Sequence, residues 1–236
     1  MKLKSVRYFL WSVFISLSVF SCSTAEIDDN DPVAMMKDAE DDISSGHYLI
    51  AIDKLQLIKN KHPYSKQATE AQLRLADVYF LQENYAEAAA TYEAFVDLHP
   101  KSDQVAYALY RQGLSYFEDS PENVARDQTS SLRALEVFEV FLKKFPKHDL
   151  IKEAVSKLTD VKQRLAGKEM YIANYYFKRG FWEAAKIRFQ KVVSSYPELK
   201  FAKEAEVKIT ISEKKMEEKR IEEQKIENEK RKRASE

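Results

Sequence analysis

Four segments of the chain repeat one arrangement of small, large and polar positions, and each ends at a proline. Twelve residues before Pro63, Pro100, Pro146 and Pro197 stands alanine: Ala51, Ala88, Ala134 and Ala185. Eight before stand Leu55, Tyr92, Phe138 and Phe189, and five before stand Ile58, Phe95, Phe141 and Val192. Fifteen before stand Tyr48, Tyr85 and Trp182, with Ser131 as the exception in the third unit. Offsets of three, four and seven residues place these side chains on one helix face. The alanine admits a neighbouring helix and the larger residues fill the space beside it. This face predicts Tyr92, Phe95, Phe138, Phe141 and Phe189 as core.

A second amphipathic helix precedes each of these, with Gly46 and Gly180 in two of the tight turns between them. Proline closes each unit because it cannot continue a helix. The pattern is that of tetratricopeptide repeats, at about 34 residues each. Predicted helices run over 32–45 and 48–61, 65–82 and 85–98, 102–118 and 131–145, then 149–178 and 181–196. A last helix starts near Leu199 and continues into the charged tail. Asp31-Pro32 caps the first.

Departures from the repeat length locate insertions. Pro63 and Pro100 lie 37 residues apart, Pro100 and Pro146 lie 46 apart, and Pro146 and Pro197 lie 51 apart. The first surplus falls in DSPENVARDQTS, residues 119–130, which reads as a loop. The second has no breaker before Gly167, so it predicts a lengthened helix loosened at that glycine. The expected fold is all-α: a right-handed superhelix of about four to five helical hairpins.

The N-terminal 21 residues read as a signal peptide. Lys2, Lys4 and Arg7 precede an apolar run over 9–20, shorter than the roughly 20 residues a spanning helix requires. Cys22, the single cysteine, follows directly and looks like a lipobox cysteine, with diacylation at that residue; the alternative is ordinary cleavage nearby. Two acyl chains suffice for stable anchoring. Ser23 in place of aspartate suggests the outer membrane. The expected organisation is a signal peptide over 1–21, a lipidated tether over 22–31, the repeat domain over 32–205 and a charged helical tail over 206–236.

Lys+Arg and Asp+Glu both number 38, so the formal net charge is zero and no general attraction to nucleic acid is implied. The four histidines are scattered, and no metal, catalytic or phosphate-binding motif occurs. No cofactor, no metal and no catalytic residue is expected. In the tail, Met216, Ile221 and Ile226 are too sparse for a heptad seam. That segment reads as a solvated helix, with ordering on a partner as the alternative. Tyr171, Tyr175 and Tyr176 read as core by helical spacing, although phenols serve equally at wet interfaces. Arg179 and Arg188 flank the last hairpin, either as solvated cations or as interface residues. Arg188, Arg179, Tyr175 and Tyr176 are the candidate partner-binding residues.

Arg164-Leu165-Ala166, Glu169 and the run Ile172 to Gly180 (IANYYFKRG) resemble the "RLA..E..VA.YY..RG" signature of the BamD family of outer membrane assembly lipoproteins. Ala184, Arg188, Tyr196-Pro197, Tyr107, Tyr110-Arg111-Gln112-Gly113-Leu114 and Arg126-Asp127 follow the same family. The resemblance implies a lipid-anchored scaffold facing the periplasm, partner of the BamA barrel insertase. It implies C-terminal repeats that dock a periplasmic domain of that insertase, with Arg188 and Arg179 at that surface. It also implies N-terminal repeats that contact unfolded β-barrel precursors, and other assembly lipoproteins as further partners. The fifth repeat is only half visible, a charged helix standing for its second half. The alternatives are another envelope adaptor, such as a pilus-assembly lipoprotein, and a subunit of a cell-wall enzyme.

Overall fold

The computed structural model describes residues 30–235. The expected signal peptide, the lipidation at Cys22 and most of the tether lie outside the described residues. Among the described residues every regular element is an α-helix: α1 Pro32–Ser44, α2 Tyr48–Lys61, α3 Lys66–Leu81, α4 Tyr85–Leu98, α5 Val105–Asp119, α6 Thr129–Lys144, α7 Ile151–Lys178, α8 Trp182–Ser195 and α9 Lys200–Ser235. Each helix packs on the next in chain order. The first helices of successive hairpins also touch, α1 on α3, α5 on α7 and α7 on α9. This is the all-α tetratricopeptide architecture that the repeat predicts.

Local chemistry sets the hairpins. Asp31 Oδ1 accepts from Val33 N–H at 2.9 Å and Pro32 opens α1, while Ser65 Oγ accepts from Ala68 N–H at 3.0 Å to open α3. Three turns share one geometry at the end of the first helix. Gly46 (φ 76°), Glu83 (φ 61°) and Gly180 (φ 77°) are left-handed. Their N–H groups donate to Ile43, Phe80 and Phe177 carbonyls, and those of the next residues to Asp42, Tyr79 and Tyr176. That is the paired bonding of a Schellman end, which glycine enters without steric cost. The second helices also end alike. His62, His99, Phe145 and Tyr196 all hold ψ near 51–52°, outside the helix, because the following proline disfavours the α region.

The repeated face is the core. All four alanines are fully buried, as are Leu55, Tyr92, Phe138 and Phe189, and Ile58, Phe95, Phe141 and Val192 beside them. Apolar clusters follow one another along the stack instead of forming one globular centre. Each repeat therefore covers its neighbour, the arrangement of a solenoid.

Several boundaries differ from those predicted. At Ser102, Oγ accepts from Gln104 N–H and the carbonyl from Val105 N–H, which makes a turn, so α5 starts at Val105. Asp127 Oδ1 accepts from Thr129 N–H at 3.0 Å, so α6 starts two residues before Ser131. His148 Nδ1 accepts from Leu150 N–H at 3.1 Å just ahead of α7, which starts at Ile151. Phe181 is the residue before α8 and Tyr196 the residue after it.

Gly167 does not loosen α7, which is helical throughout its 28 residues. The glycine is there for close approach: a Cβ at this position would stand 3.2 Å from Val124 Cγ1. The loop between α5 and α6 is strapped onto α7 on both sides of that contact. Arg164 Nη1 donates to the Phe117 and Ser120 carbonyls at 2.8 and 3.1 Å, and Lys168 Nζ to those of Ala125 and Arg126 at 2.8 and 2.9 Å. Ser131, the exception to the aromatic position, is buried and donates to Gln128 Oε1 at 2.8 Å, with Ser120 Oγ at 2.7 Å. Its hydroxyl anchors the loop that an aromatic ring would displace.

The last helix, α9, crosses residues 205 and 206 without a break. Ala202, Ala205 and Ser212 are buried, and Lys186 on α8 reaches Glu213 at 2.7 Å. Beyond Met216 its residues are exposed.

Candidate partner-binding surface

The hairpin of α7 and α8 carries all four candidate residues among those described, in two separate groups. The first forms at the turn. Because the Schellman end brings Phe181 back over Tyr176, their rings meet edge to face, with centroids 6.3 Å apart. Tyr175 lies against Tyr176 at 5.6 Å, and the Arg179 guanidinium sits 4.6 Å from the Tyr175 ring centroid. On the opposite side of α7, Phe177 faces inward against Trp182 and Phe189. Two residues of one helix, Tyr175 and Phe177, thus present a surface ring and an inward ring on opposite sides.

Tyr171 and Tyr175 are not core. They are 52% and 48% exposed, and Phe181 is 56% exposed; only Tyr176 is half-buried. The helical spacing is right but no later repeat covers this face of α7. An arginine stacked on an exposed tyrosine beside an exposed phenylalanine combines the residue types that dominate binding energy at protein interfaces.

The second group surrounds Glu169. Its carboxylate is buried at the α7–α8 contact. Oε2 accepts from Arg188 Nη1 at 3.0 Å and Oε1 from Lys191 Nζ at 2.6 Å. Arg188 is therefore not a free surface cation: it pairs with Glu169, 19 residues away in sequence, and shares that carboxylate with Lys191. The charge pattern alone shows neither pairing, although Glu169 stands within the quoted signature.

A further polar group lies in the N-terminal half, which the spacing rules describe only as core. Asp77 is buried on α3 and accepts from Tyr92 Oη at 2.5 Å, Tyr107 Oη at 2.8 Å and Arg74 Nη1 at 2.9 Å. Arg74 also makes a two-pronged pair with Glu40 on α1, at 2.5 and 2.6 Å. Arg111 Nε donates to Tyr92 Oη at 3.1 Å, and its guanidinium covers Phe80 at 4.0 Å. Four helices of three hairpins thereby share one network. Burial, and then the Asp77 carboxylate, push the Tyr107 phenol up to about 12; the same two causes raise Tyr92 further. An aspartate between the buried Ala76 and Val78 is the sequence signal that points to it. Beside this network a groove of about 560 Å³ runs between α3 and α5, lined by Lys66, Leu73, Arg74, Phe95, Gln104 and Tyr107.

Among the described residues no group of three His, Cys, Asp or Glu side chains is placed to hold a metal. No helix among them is long and apolar enough to cross a membrane.

Residues 28–229 match the family model described as YfiO, outer membrane lipoprotein. Curated relatives carry the name outer membrane protein assembly factor BamD. That of Neisseria gonorrhoeae is 26% identical over 229 residues, covering 90% of this chain and 86% of its own. That of Vibrio cholerae is 26% identical, covering 85% and 88%. That of Rickettsia prowazekii is 33% identical over 149 residues, covering 63% and 59%. A solved tetratricopeptide repeat protein from Parabacteroides merdae aligns with a TM-score of 0.41 and 15% identity, over 77% of this chain and 60% of that one.

Proposed function

Because the chain belongs to the YfiO family of outer membrane lipoproteins, we propose that it is a non-catalytic scaffold in the assembly of β-barrel proteins into the outer membrane. In this reading Cys22 carries the lipid, the repeats face the periplasm, and the α7–α8 hairpin docks a periplasmic domain of a BamA-type insertase. The groove between α3 and α5 is then available to incoming precursor segments, and further assembly lipoproteins are additional partners. No nucleic acid is involved.

The observation that carries the reading is the exposed group of Tyr175, Arg179 and Phe181 on a hairpin whose other face is a buried apolar core. Side chains already ordered by neighbours lose less freedom on binding than flexible ones do. Surface aromatics of this size otherwise cost solubility and invite association. A repeat stack needs no such group for its own stability, since Met170, Phe189 and Val192 already fill the hairpin core, with Phe177 packed against them.

Co-purification from detergent-solubilised membranes tests the reading. A large barrel protein is expected to accompany the wild-type chain and to be lost from the double variant Tyr175→Ala/Arg179→Ala. A pilus secretin in its place would replace the assembly reading with that of another envelope adaptor.

A further inference from the structure

The first repeat carries large apolar residues at exposed positions where the later ones carry charge. Leu49 and Ile50 on α2 are 73% and 51% exposed, and Leu57 and Tyr64 are exposed as well. Leu49, Ile50 and Leu57 share the side of α2 that faces away from its buried Ala51, Leu55 and Ile58. Tyr64 follows in the turn after the helix. Counted from the closing proline, the same four positions hold Ala86, Glu87, Ala94 and Lys101 in the second unit. They hold Leu132, Arg133, Val140 and Lys147 in the third, and Glu183, Ala184, Lys191 and Glu198 in the fourth. The repeat architecture therefore requires no large apolar residue at these places, and an exposed group of four marks a contact surface.

We propose that this outer face of α2 rests on the headgroup layer of the membrane that holds the Cys22 lipid, as a second contact beside the acyl chains. The proposal rests on the lipidation reading above. Residues 45–47 join α1 to α2, and Lys54 on α2 meets Asp38 and Asp42 on α1, so the two helices run antiparallel. The end of α2 therefore lies beside the start of α1, where the tether enters. The ten residues from Cys22 to Asp31 span at most about 35 Å. Lys59 and Lys61 close α2 between Leu57 and Tyr64. Aliphatic residues with a tyrosine and lysines suit the headgroup region, where the apolar parts meet the acyl boundary and the ammonium groups meet phosphate. Asp53, exposed between Leu49 and Leu57, limits the depth, since a carboxylate stays out of the hydrocarbon. Four such side chains are too few to hold a soluble chain on a bilayer. A short tether changes that, because it keeps the hairpin at an effective concentration of about millimolar, and a contact of about millimolar strength is then made about half the time. A protein partner would first have to arrive, whereas the bilayer is already within reach.

The test uses the full lipidated chain in vesicles of phosphatidylethanolamine and phosphatidylglycerol. Cys22 is the single cysteine and the lipid consumes its sulfur, so an introduced cysteine is the one reactive thiol. Asn60→Cys on α2 and Asp97→Cys, at the equivalent exposed position of α4, each receive an environment-sensitive fluorophore. Quenching by nitroxide-bearing lipid is expected to be at least about twofold greater at 60 than at 97. Adding Leu49→Ser, Ile50→Ser and Leu57→Ser is expected to remove the difference and to leave the circular dichroism unchanged, because all three side chains are exposed. Equal quenching at the two positions, in a chain that floats with the vesicles, overturns the proposal and leaves the lipidation intact. A difference that survives the three serines also overturns it, since the tether alone then brings α2 to the lipid. Equal quenching, with emission at 60 altered only once the cognate insertase is added, assigns the face to a protein partner instead. A wild-type chain that fails to float removes the lipidation at Cys22, and the proposal with it.

Discussion

Gly113 on α5 lies directly beneath the ring of Phe138 on α6: a Cβ built on it would meet Phe138 Cε1 at 2.9 Å. Phe138 is fully buried, and its ring packs against Tyr110 with centroids 6.1 Å apart. Alanine is better than glycine in a helix by about 0.8–1 kcal/mol. Overpacking a filled core costs about 1–3 kcal/mol. The second effect wins, and Gly113→Ala is expected to lower the unfolding free energy by up to about 2 kcal/mol. At Gly167 the nearest contact is longer, 3.2 Å to a methyl of the half-buried Val124, so a shift of that side chain by a few tenths of an ångström suffices and the propensity gain offsets the strain. Gly167→Ala should be near neutral. Urea unfolding of the two variants against wild type checks the contrast, and equal destabilisation at both sites would contradict it.

Ala88 and Ala185 occupy one position of the repeat, and both are fully buried. Leucine at either should overpack its hairpin and cost about 1–3 kcal/mol. Thermal unfolding is the measurement. An unchanged midpoint in either variant would show that the close helix approach is absent at that site.

Tyr107 donates to Asp77 at 2.8 Å and its phenol is pushed up to about 12, against about 10 for a free tyrosine. The folded state therefore keeps a proton that the unfolded chain releases above pH 10. Stability from this group is complete below about pH 10 and falls as pH rises to about 12. Tyr107→Phe should flatten the decline of the melting temperature over that interval, while Tyr92 retains its own part. Equal slopes for variant and wild type between pH 10 and 12 would be inconsistent with the bond to Asp77.

Cys22, outside the described residues, is expected to carry the lipid. Cys22→Ala should leave the far-ultraviolet circular dichroism of the purified chain unchanged and move it from the membrane to the soluble fraction. Sedimentation with membranes stripped of the barrel partner would count against lipidation there.

The regularity of the repeat face made most of the fold legible before any coordinates. Tyr48–Lys61 and Tyr85–Leu98 begin and end where the apolar spacing and the prolines place them. The same rules placed the loop but missed its strapping onto α7 and the start of α6, because Asp127, Arg164 and Lys168 act there through side-chain bonds to backbone. Such bonds leave no period in the sequence.

The residues alone determined the helices, their pairing and the ladder of buried side chains, since these depend on contacts within one hairpin: a face three and four residues wide, a left-handed turn residue, a proline that stops the next turn. Tertiary structure alone decided which side chains of that pattern face water and which charges meet. Tyr171 and Tyr175 have core spacing, yet no later repeat covers them. Glu169 finds Arg188 and Lys191 only once α8 folds back on α7. Asp77 joins α1, α3, α4 and α5 only when three hairpins stack. Burial and ion pairing depend on what lies across the gap, and helical spacing describes only one side of it.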